Sequence, residues 1–320
     1  MASGAWEILT LKIIKMKKIQ NYFKLLRSPS YIVGALILIK FALFQSMDAD
    51  TTLSIQSFFL LLLSLVFIEY SGYLIYDIHA IKSDRVNFPD KPLVLGTVSV
   101  KNALTLYIVI TFIGVALGMY VSYSIDHTSY GMLFVAIAAI PYLYATGLKN
   151  TGAIGNIMLA SLAFIGFTIL GILDLMPSIN EANQMSQAAV FRILLLYGGF
   201  GFALAYIESI ISNLRSLPGD RKIGVKTLAN QLGFSTTKKV AAISSVIVFI
   251  VLVFCVYTYI ENNKLLTYFV FAVMAPFIYF IIQLIYLKKE EMHRQIKILQ
   301  SILKILYITG ILSILLLNYF

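Results

Sequence analysis

The sequence predicts an all-α fold, a polytopic transmembrane bundle of about nine helices. Hydrophobic residues make up 59% of the 320-residue chain and charged residues only 12%, whereas soluble domains have about 45–50% apolar and about 25% charged residues. Apolar stretches of about 20 residues, the length that crosses a bilayer as a helix, recur along the chain. The alternating pattern of membrane β-barrel strands is absent. This composition excludes a soluble enzyme, a disordered chain and a disulfide-stabilised scaffold.

The predicted spans follow one another along a single domain. Residues 1–19 show no signal-peptide pattern, and we expect them to form an unstructured extension. We expect residues 20–320 to form one transmembrane domain. Its predicted spans lie near residues 31–47, 54–75, 102–124, 130–147, 155–175, 190–212, 239–260, 265–287 and 300–319.

Basic residues predict the orientation of these spans. They are concentrated before the first span and after the even-numbered spans, whereas the opposite connections carry acidic residues such as Asp48, Asp174 and Glu181. The positive-inside rule makes the basic side cytoplasmic, and nine spans then place Phe320 on the far side. We therefore expect a multi-pass protein of the bacterial inner membrane.

Two of the predicted cytoplasmic segments share a pattern of polar residues. Asp77 and Asp84 follow the second span seven residues apart, and Asn213 and Asp220 follow the sixth span with the same spacing. Four spans separate the two segments, so both face the same side of the membrane. The repeat predicts two related four-helix halves plus a ninth helix, with a site at the interface of the halves.

Positions i and i+7 lie on one face of a helix, so each pair of polar side chains points the same way. Oxygen ligands of this kind suit Mg²⁺, which proteins hold with a few carboxylates together with substrate phosphates. We predict four metal ligands: Asp77, Asp84, Asn213 and Asp220. Basic side chains nearby suit a diphosphate: Arg85, Lys91, Arg221 and Lys226. From these residues alone, the alternative is a pair of ordinary charged segments at the membrane surface.

At these positions the chain resembles the UbiA-type intramembrane prenyltransferases. Residues 72–93 are similar to the first aspartate-rich loop of that family, and residues 207–228 are similar to the second. Tyr144, Lys149 and Asn156 are in place in a segment similar to the family's Tyr…Leu-Lys…Gly-Asn segment. The resemblance includes the count of nine helices and implies the same fold.

The chain also departs from the family's aspartate pattern. The matching carboxylates are Asp77, Asp84 and Asp220. Other side chains replace the family's Asn or Asp at four positions: Tyr76, Ala80, Asn213 and Ser216. Two carboxylates within predicted spans, Glu69 and Glu208, are candidates to compensate for these losses, because ionisable groups inside a membrane tend to be functional.

The resemblance implies an integral membrane enzyme of isoprenoid biosynthesis that transfers a prenyl group from an isoprenyl diphosphate to a small or lipid acceptor, with Mg²⁺ as cofactor. It implies three catalytic residues: Asp77, Asp84 and Asp220. The implied diphosphate-binding residues are Arg85, Lys91, Lys149, Arg221, Lys226 and Asn156. Membrane lipid is a further implied partner, whereas no nucleic acid and no protein partner is implied.

Two other functions remain open at this point. The chain could be a UbiA-type terpene cyclase, which acts on a prenyl diphosphate without an acceptor, or a lipid- or quinone-binding membrane protein without catalysis. Product analysis in the absence of an acceptor separates the transferase from the cyclase. Diphosphate release separates both enzymes from the non-catalytic protein.

Overall fold

The structure, a computed structural model, describes residues 31–260 and 262–319. All regular secondary structure within these ranges is helical, as the composition predicts. The helices are α1 (Tyr31–Ser46), α2 (Ile55–Asn87), α3 (Val100–Ser124), α4 (Thr128–Thr146), α5 (Ala153–Ser178), α6 (Gln184–Ile223), α7 (Leu228–Tyr259), α8 (Asn263–Ile285) and α9 (Met292–Leu316). Helices α2 to α9 are long and apolar enough to cross a membrane. The extension predicted at 1–19 lies outside the described residues.

Local sequence signals explain several helix boundaries. Ser54 and Ser99 precede α2 and α3, and each hydroxyl accepts a hydrogen bond from a backbone N–H in the first turn. Such N-caps satisfy donors that have no partner inside the helix. Helix α6 ends at Ile223 and is followed by Gly224, whose φ of 76° is left-handed. Glycine adopts this conformation at little cost and therefore terminates the helix.

Helices α2 and α6 extend well beyond their apolar stretches. They contain 33 and 40 residues, which gives lengths of about 50 and 60 Å at about 1.5 Å per residue. The hydrocarbon core of a bilayer is only about 30 Å thick. The segments predicted as motif loops are therefore largely the ends of these two helices. The end of an apolar stretch marks where a helix leaves the lipid, and it does not mark where the helix itself ends. Here both helices continue, because neighbouring helices pack against them.

The two long helices also meet at the centre of the bundle. Helix α2 packs against α3, α4 and α6, and α6 packs against α5, α7 and α9. Helices α2 and α6 are the equivalent members of the two predicted halves. Their direct contact places the two aspartate-rich segments at the same end of the bundle.

A buried ion pair joins α1 and α5 at the opposite end. Lys40 Nζ lies 2.7 Å from Asp174 Oδ2, and these side chains are 8% and 0% exposed. Lys40 also donates to the Leu53 carbonyl, and the Leu53 N–H donates to Asp174 Oδ1 over 2.7 Å. The prediction that Asp174 lies in a connection between spans is wrong. Its carboxylate is buried within α5 against Lys40, a single lysine within an otherwise apolar helix.

Candidate functional site

Two carboxylates of the first motif converge on one lysine. Asp77 and Asp84 lie two turns apart on α2, and both are buried. Lys91 Nζ lies 2.8 Å from Asp77 Oδ1 and 2.6 Å from Asp84 Oδ2. Lys91 comes from the connection between α2 and α3, and its ammonium lies 5.0 Å from the ring centre of Phe88. Both negative side chains therefore contact the same ammonium group.

The carboxylate of the second motif is completely buried on α6. Asp220 Oδ1 accepts hydrogen bonds from Ser83 Oγ over 2.6 Å and from Lys149 Nζ over 3.1 Å. Its other oxygen, Oδ2, has no hydrogen-bond partner among the described residues. Lys149 lies in the short turn between α4 and α5, with its ammonium 5.3 Å from the ring centre of Tyr76. Asp220 thus joins α2, α6 and this turn.

A polar contact holds the motif ends of α2 and α6 together. Asn87 Nδ2 donates to Ser83 Oγ and to the Ser216 carbonyl, and its Oδ1 accepts from the Gly219 N–H over 2.8 Å. A Cβ at Gly219 would overlap the Ser83 carbonyl oxygen, so the close approach requires glycine. Ser83 and Asn87 are not among the predicted site residues, although both fall at helical spacing on the motif side of α2.

Two further predicted site residues, Asn213 and Asn156, contact each other. Asn213 Nδ2 donates to Asn156 Oδ1 over 2.8 Å, and both side chains are buried between α5 and α6. Asn156 Nδ2 has no partner among the described residues. The structure thus gives Asn213, predicted as a metal ligand, and Asn156, predicted to bind diphosphate, a shared contact between helices.

Three of the predicted diphosphate-binding residues are exposed. Within the described ranges, the side chains of Arg85, Arg221 and Lys226 form no ion pair with the motif carboxylates. Arg85 and Arg221 each follow a motif carboxylate directly, and adjacent helical residues do not face the same side. These arginines therefore point away from the acids, and their role in binding diphosphate stays a prediction.

A cavity of about 170 Å³ opens beside Lys149. Its lining residues are Tyr76, His79, Ala80, Ser83, Ala145, Lys149, Asn150, Ile223 and Val225. Tyr76 and Ala80 are two of the positions that depart from the family pattern, and Tyr76 stacks on Tyr144 with ring centres 6.1 Å apart. The cavity therefore combines a cation, an imidazole and an amide at the place where the chain lacks a family carboxylate.

The donor chemistry of the first motif fits one divalent cation. In the described part of the chain, no group of three or more Asp, Glu, His or Cys side chains could hold a metal ion. Asp77 and Asp84 nevertheless direct their oxygens at one cationic atom. Hard divalent cations such as Mg²⁺ are commonly held by one or two carboxylates plus substrate phosphates. These two side chains therefore suit such an ion with the remaining ligands supplied by substrate and water.

The chain is similar in sequence to archaeal proteins of known name. A digeranylgeranylglyceryl phosphate synthase of Saccharolobus solfataricus is 29% identical over 236 residues, which cover 73% of this chain and 76% of the relative. The synthase of the same name from Sulfolobus acidocaldarius is 30% identical over 186 residues, or 58% and 61% of the two chains. Both sources are archaea.

Solved structures share the fold. A structure of a digeranylgeranylglyceryl phosphate synthase superposes with a TM-score of 0.61 at 21% identity and covers 93% of this chain and 99% of its own. A UbiA homologue from Archaeoglobus fulgidus, bound to DMAPP and Mg²⁺, superposes with a TM-score of 0.60 at 18% identity, covering 92% and 99%. A sequence model of the UbiA prenyltransferase family matches residues 35–306. This match over most of the chain confirms the resemblance and the predicted function: the chain belongs to the UbiA prenyltransferase family and is an integral membrane prenyltransferase.

Proposed function

We propose that this enzyme transfers a prenyl group from an isoprenyl diphosphate to the hydroxyl of a prenylated glycerol phosphate. The relatives named above are digeranylgeranylglyceryl phosphate synthases, and a product of that name carries two prenyl chains on one glycerol phosphate. The observation that carries the proposal is the pairing of buried carboxylates with lysines at the shared end of α2 and α6. Such a site can hold anionic phosphates and a cation together.

We assign different roles to the buried and to the exposed residues of the site. Asp77 and Asp84 would hold Mg²⁺, which supplies Lewis-acid charge to the leaving diphosphate when it is bound. Lys91 and Lys149 would contact the diphosphate, and Asp220 would position Lys149. The exposed basic residues nearby would attract the incoming anion from solution, because clustered charge raises the local concentration of oppositely charged substrates: Arg85, Arg221 and Lys226.

The proposed reaction breaks the bond between prenyl C1 and the diphosphate oxygen, and the electron pair leaves with the diphosphate. The acceptor hydroxyl oxygen then bonds to C1 and loses its proton to solvent. The lysine charges beside the diphosphate stabilise the negative charge that develops on the leaving group. Burial of the prenyl chain between helices excludes water from the allylic cation and limits its hydrolysis.

The basic ends of the helices also support an orientation. We propose that the shared end of α2 and α6 faces the cytoplasm, because positive charge is retained on that side of biological membranes. The rule applies equally to bacterial and archaeal membranes, so the bacterial inner membrane stays a prediction.

The test uses purified protein in lipid nanodiscs with geranylgeranyl diphosphate and Mg²⁺. One reaction contains geranylgeranylglyceryl phosphate, a second contains glycerol phosphate without a chain, and a third contains no acceptor. Mass spectrometry of the lipid extract and an assay of released diphosphate are read together. We expect a doubly prenylated glycerol phosphate in the first reaction alone.

Each other outcome identifies a different function. A cyclic hydrocarbon in the reaction without acceptor would identify a terpene cyclase. Diphosphate release with a different prenylated lipid would retain the transferase and reject the acceptor class. The absence of diphosphate release in all three reactions would contradict catalysis on this donor.

A further inference from the structure

The position of Lys91 has a consequence for the order in which ligands enter the site. Its ammonium lies within 2.8 Å of both Asp77 and Asp84, where a divalent cation would also have to bind. Removing the partner of a buried carboxylate is costly, because the low-dielectric surroundings do not compensate the charge. A nearby cation therefore stabilises two buried carboxylates side by side, and in this structure Lys91 contacts both of them.

We propose that Lys91 is an exchangeable counter-cation, which blocks the Asp77–Asp84 pair against free metal ions and leaves it when a metal ion arrives with a diphosphate. The proposal rests on the proposed donor and cofactor. It goes beyond them because it makes metal binding conditional on the diphosphate. Lys91 then determines specificity for the metal–diphosphate complex over the metal ion alone.

The surroundings of Lys91 allow its side chain to move while its backbone stays in place. Its N–H donates to the Phe88 carbonyl, and its carbonyl accepts from the N–H groups of Val94 and Leu95. The side chain is 23% exposed and extends from this turn on a flexible four-carbon stem. Rotation of that stem alone would withdraw the ammonium from the carboxylates.

Lys149 is the contrasting case. Its side chain is 11% exposed and lies between the fully buried Asp220 and the Tyr76 ring, in a four-residue turn between two helices. Because its surroundings enclose it more tightly, we assign the exchange to Lys91 and a fixed charge to Lys149.

Charge explains the dependence on diphosphate. A free metal ion that enters the carboxylate pair must displace the ammonium, which then loses two charge-assisted hydrogen bonds. A diphosphate that accompanies the metal ion offers phosphate oxygens to the same ammonium, and lysine binds phosphates well. The exchange then replaces one set of ionic contacts with another, so the combined ligand should bind much more tightly than the metal ion alone.

The experiment compares Lys91→Met with Lys82→Met in nanodiscs. Lys82 is exposed on α2, so its replacement removes the same charge without touching the pair. Electron paramagnetic resonance of free Mn²⁺ gives metal affinity, and calorimetry with inorganic pyrophosphate in the absence of metal gives anion affinity. We expect Lys91→Met to bind Mn²⁺ at least about tenfold tighter, about 1.4 kcal/mol, and to bind pyrophosphate more weakly. Lys82→Met should match the parent in both.

A purely structural role for Lys91 would not produce opposite changes in the two affinities. Equal or weaker Mn²⁺ binding by folded Lys91→Met would overturn the proposal. The unmutated protein provides a test that does not depend on the folding of the variant. Pyrophosphate should raise its Mn²⁺ affinity at least about tenfold, and the absence of this coupling would also reject the exchange. Neither measurement needs an acceptor or turnover, so failure here is distinguishable from failure of the proposed function.

Discussion

Each carboxylate that matches the family pattern faces a lysine ammonium at 2.6–3.1 Å. The spacing of Asp77 and Asp84 explains why one lysine can serve both, since residues seven apart return to the same helix face. Asp220 differs, because a serine hydroxyl and a lysine share one of its oxygens while the other has no partner among the described residues. The three motif carboxylates thus have two different environments: Asp77 and Asp84 share Lys91, whereas Asp220 is bound by Ser83 and Lys149.

Asp84→Asn should separate charge from shape in the first motif. Asparagine keeps the size of the side chain but removes the negative charge that would hold the cation against the leaving group. We expect turnover to fall by about 10²–10³-fold, the usual effect of removing one electrostatic contributor. Product formation is measured beside Asp90→Asn, which removes an exposed charge from the neighbouring connection. Equal activity of both variants would contradict the assigned role.

Removal of divalent metal should have a comparable effect. We expect EDTA to stop product formation, and added Mg²⁺ to restore it, because the two carboxylates alone add negative charge beside the diphosphate. The measurement is diphosphate release before and after chelation. Turnover that persists in EDTA would assign charge stabilisation to the lysines alone.

The pair of Lys40 and Asp174 should matter for stability rather than chemistry, since it lies at the end opposite the motif carboxylates. Lys40→Met leaves a fully buried carboxylate without its cation, and breaking such a pair costs about 3–5 kcal/mol. The double variant Lys40→Met/Asp174→Leu removes both charges and should recover most of the melting temperature. A double variant no more stable than Lys40→Met would show that the hydrogen bond from Leu53 dominates.

At the scale of elements, the contact between α2 and α6 determines the geometry of the site. Asn87 bonds to the backbone of α6 at two places, and Ser83 bonds to Asp220. These contacts require the helix backbones to come close together, as they do at Gly219. A change at this glycine should therefore alter the site without altering any charged residue.

Gly219→Ala tests this contact. The added methyl group would overlap the Ser83 carbonyl oxygen, and overpacking of this kind costs about 1–3 kcal/mol. We expect a lower melting temperature together with reduced turnover, because Asp220 is the adjacent residue. Gly199→Ala on the same helix is the matched control, since no atom lies within 4 Å of its added Cβ. A fully active Gly219→Ala would show that the helices can separate without disturbing the site.

At the scale of the whole molecule, hydropathy predicted the fold well because lipid contact requires long apolar helices. Helical periodicity also predicted that Asp77 and Asp84 share a face, whereas the approach of Lys91 depends on the path of a connection that carries no periodic signal. The pairing of Asn213 with Asn156, and that of Lys40 with Asp174, depends on how separate helices pack. Such contacts are tertiary, and no local pattern encodes them.

The topology can be tested on a Cys255→Ala background with single cysteines at exposed sites. We place one pair at Asp90 and Lys222, near the motif ends of α2 and α6, and another at Ser129 and Glu181, at the opposite ends. A membrane-impermeant thiol reagent added to intact cells should label only the second pair, and permeabilisation should expose the first. Labelling of Asp90 and Lys222 variants from opposite sides would contradict a shared site.

The length of α2 and α6 has a final consequence for the two products of the reaction. Both helices are about 20–30 Å longer than the hydrocarbon core, and their carboxylates lie near the ends that share one side. A site at such a boundary releases its products into different phases: the multiply charged leaving group dissolves in water, while the prenylated product dissolves in the bilayer. Because the two products enter different solvents, they seldom meet again at the site. This opposes the reverse reaction and requires no conformational change.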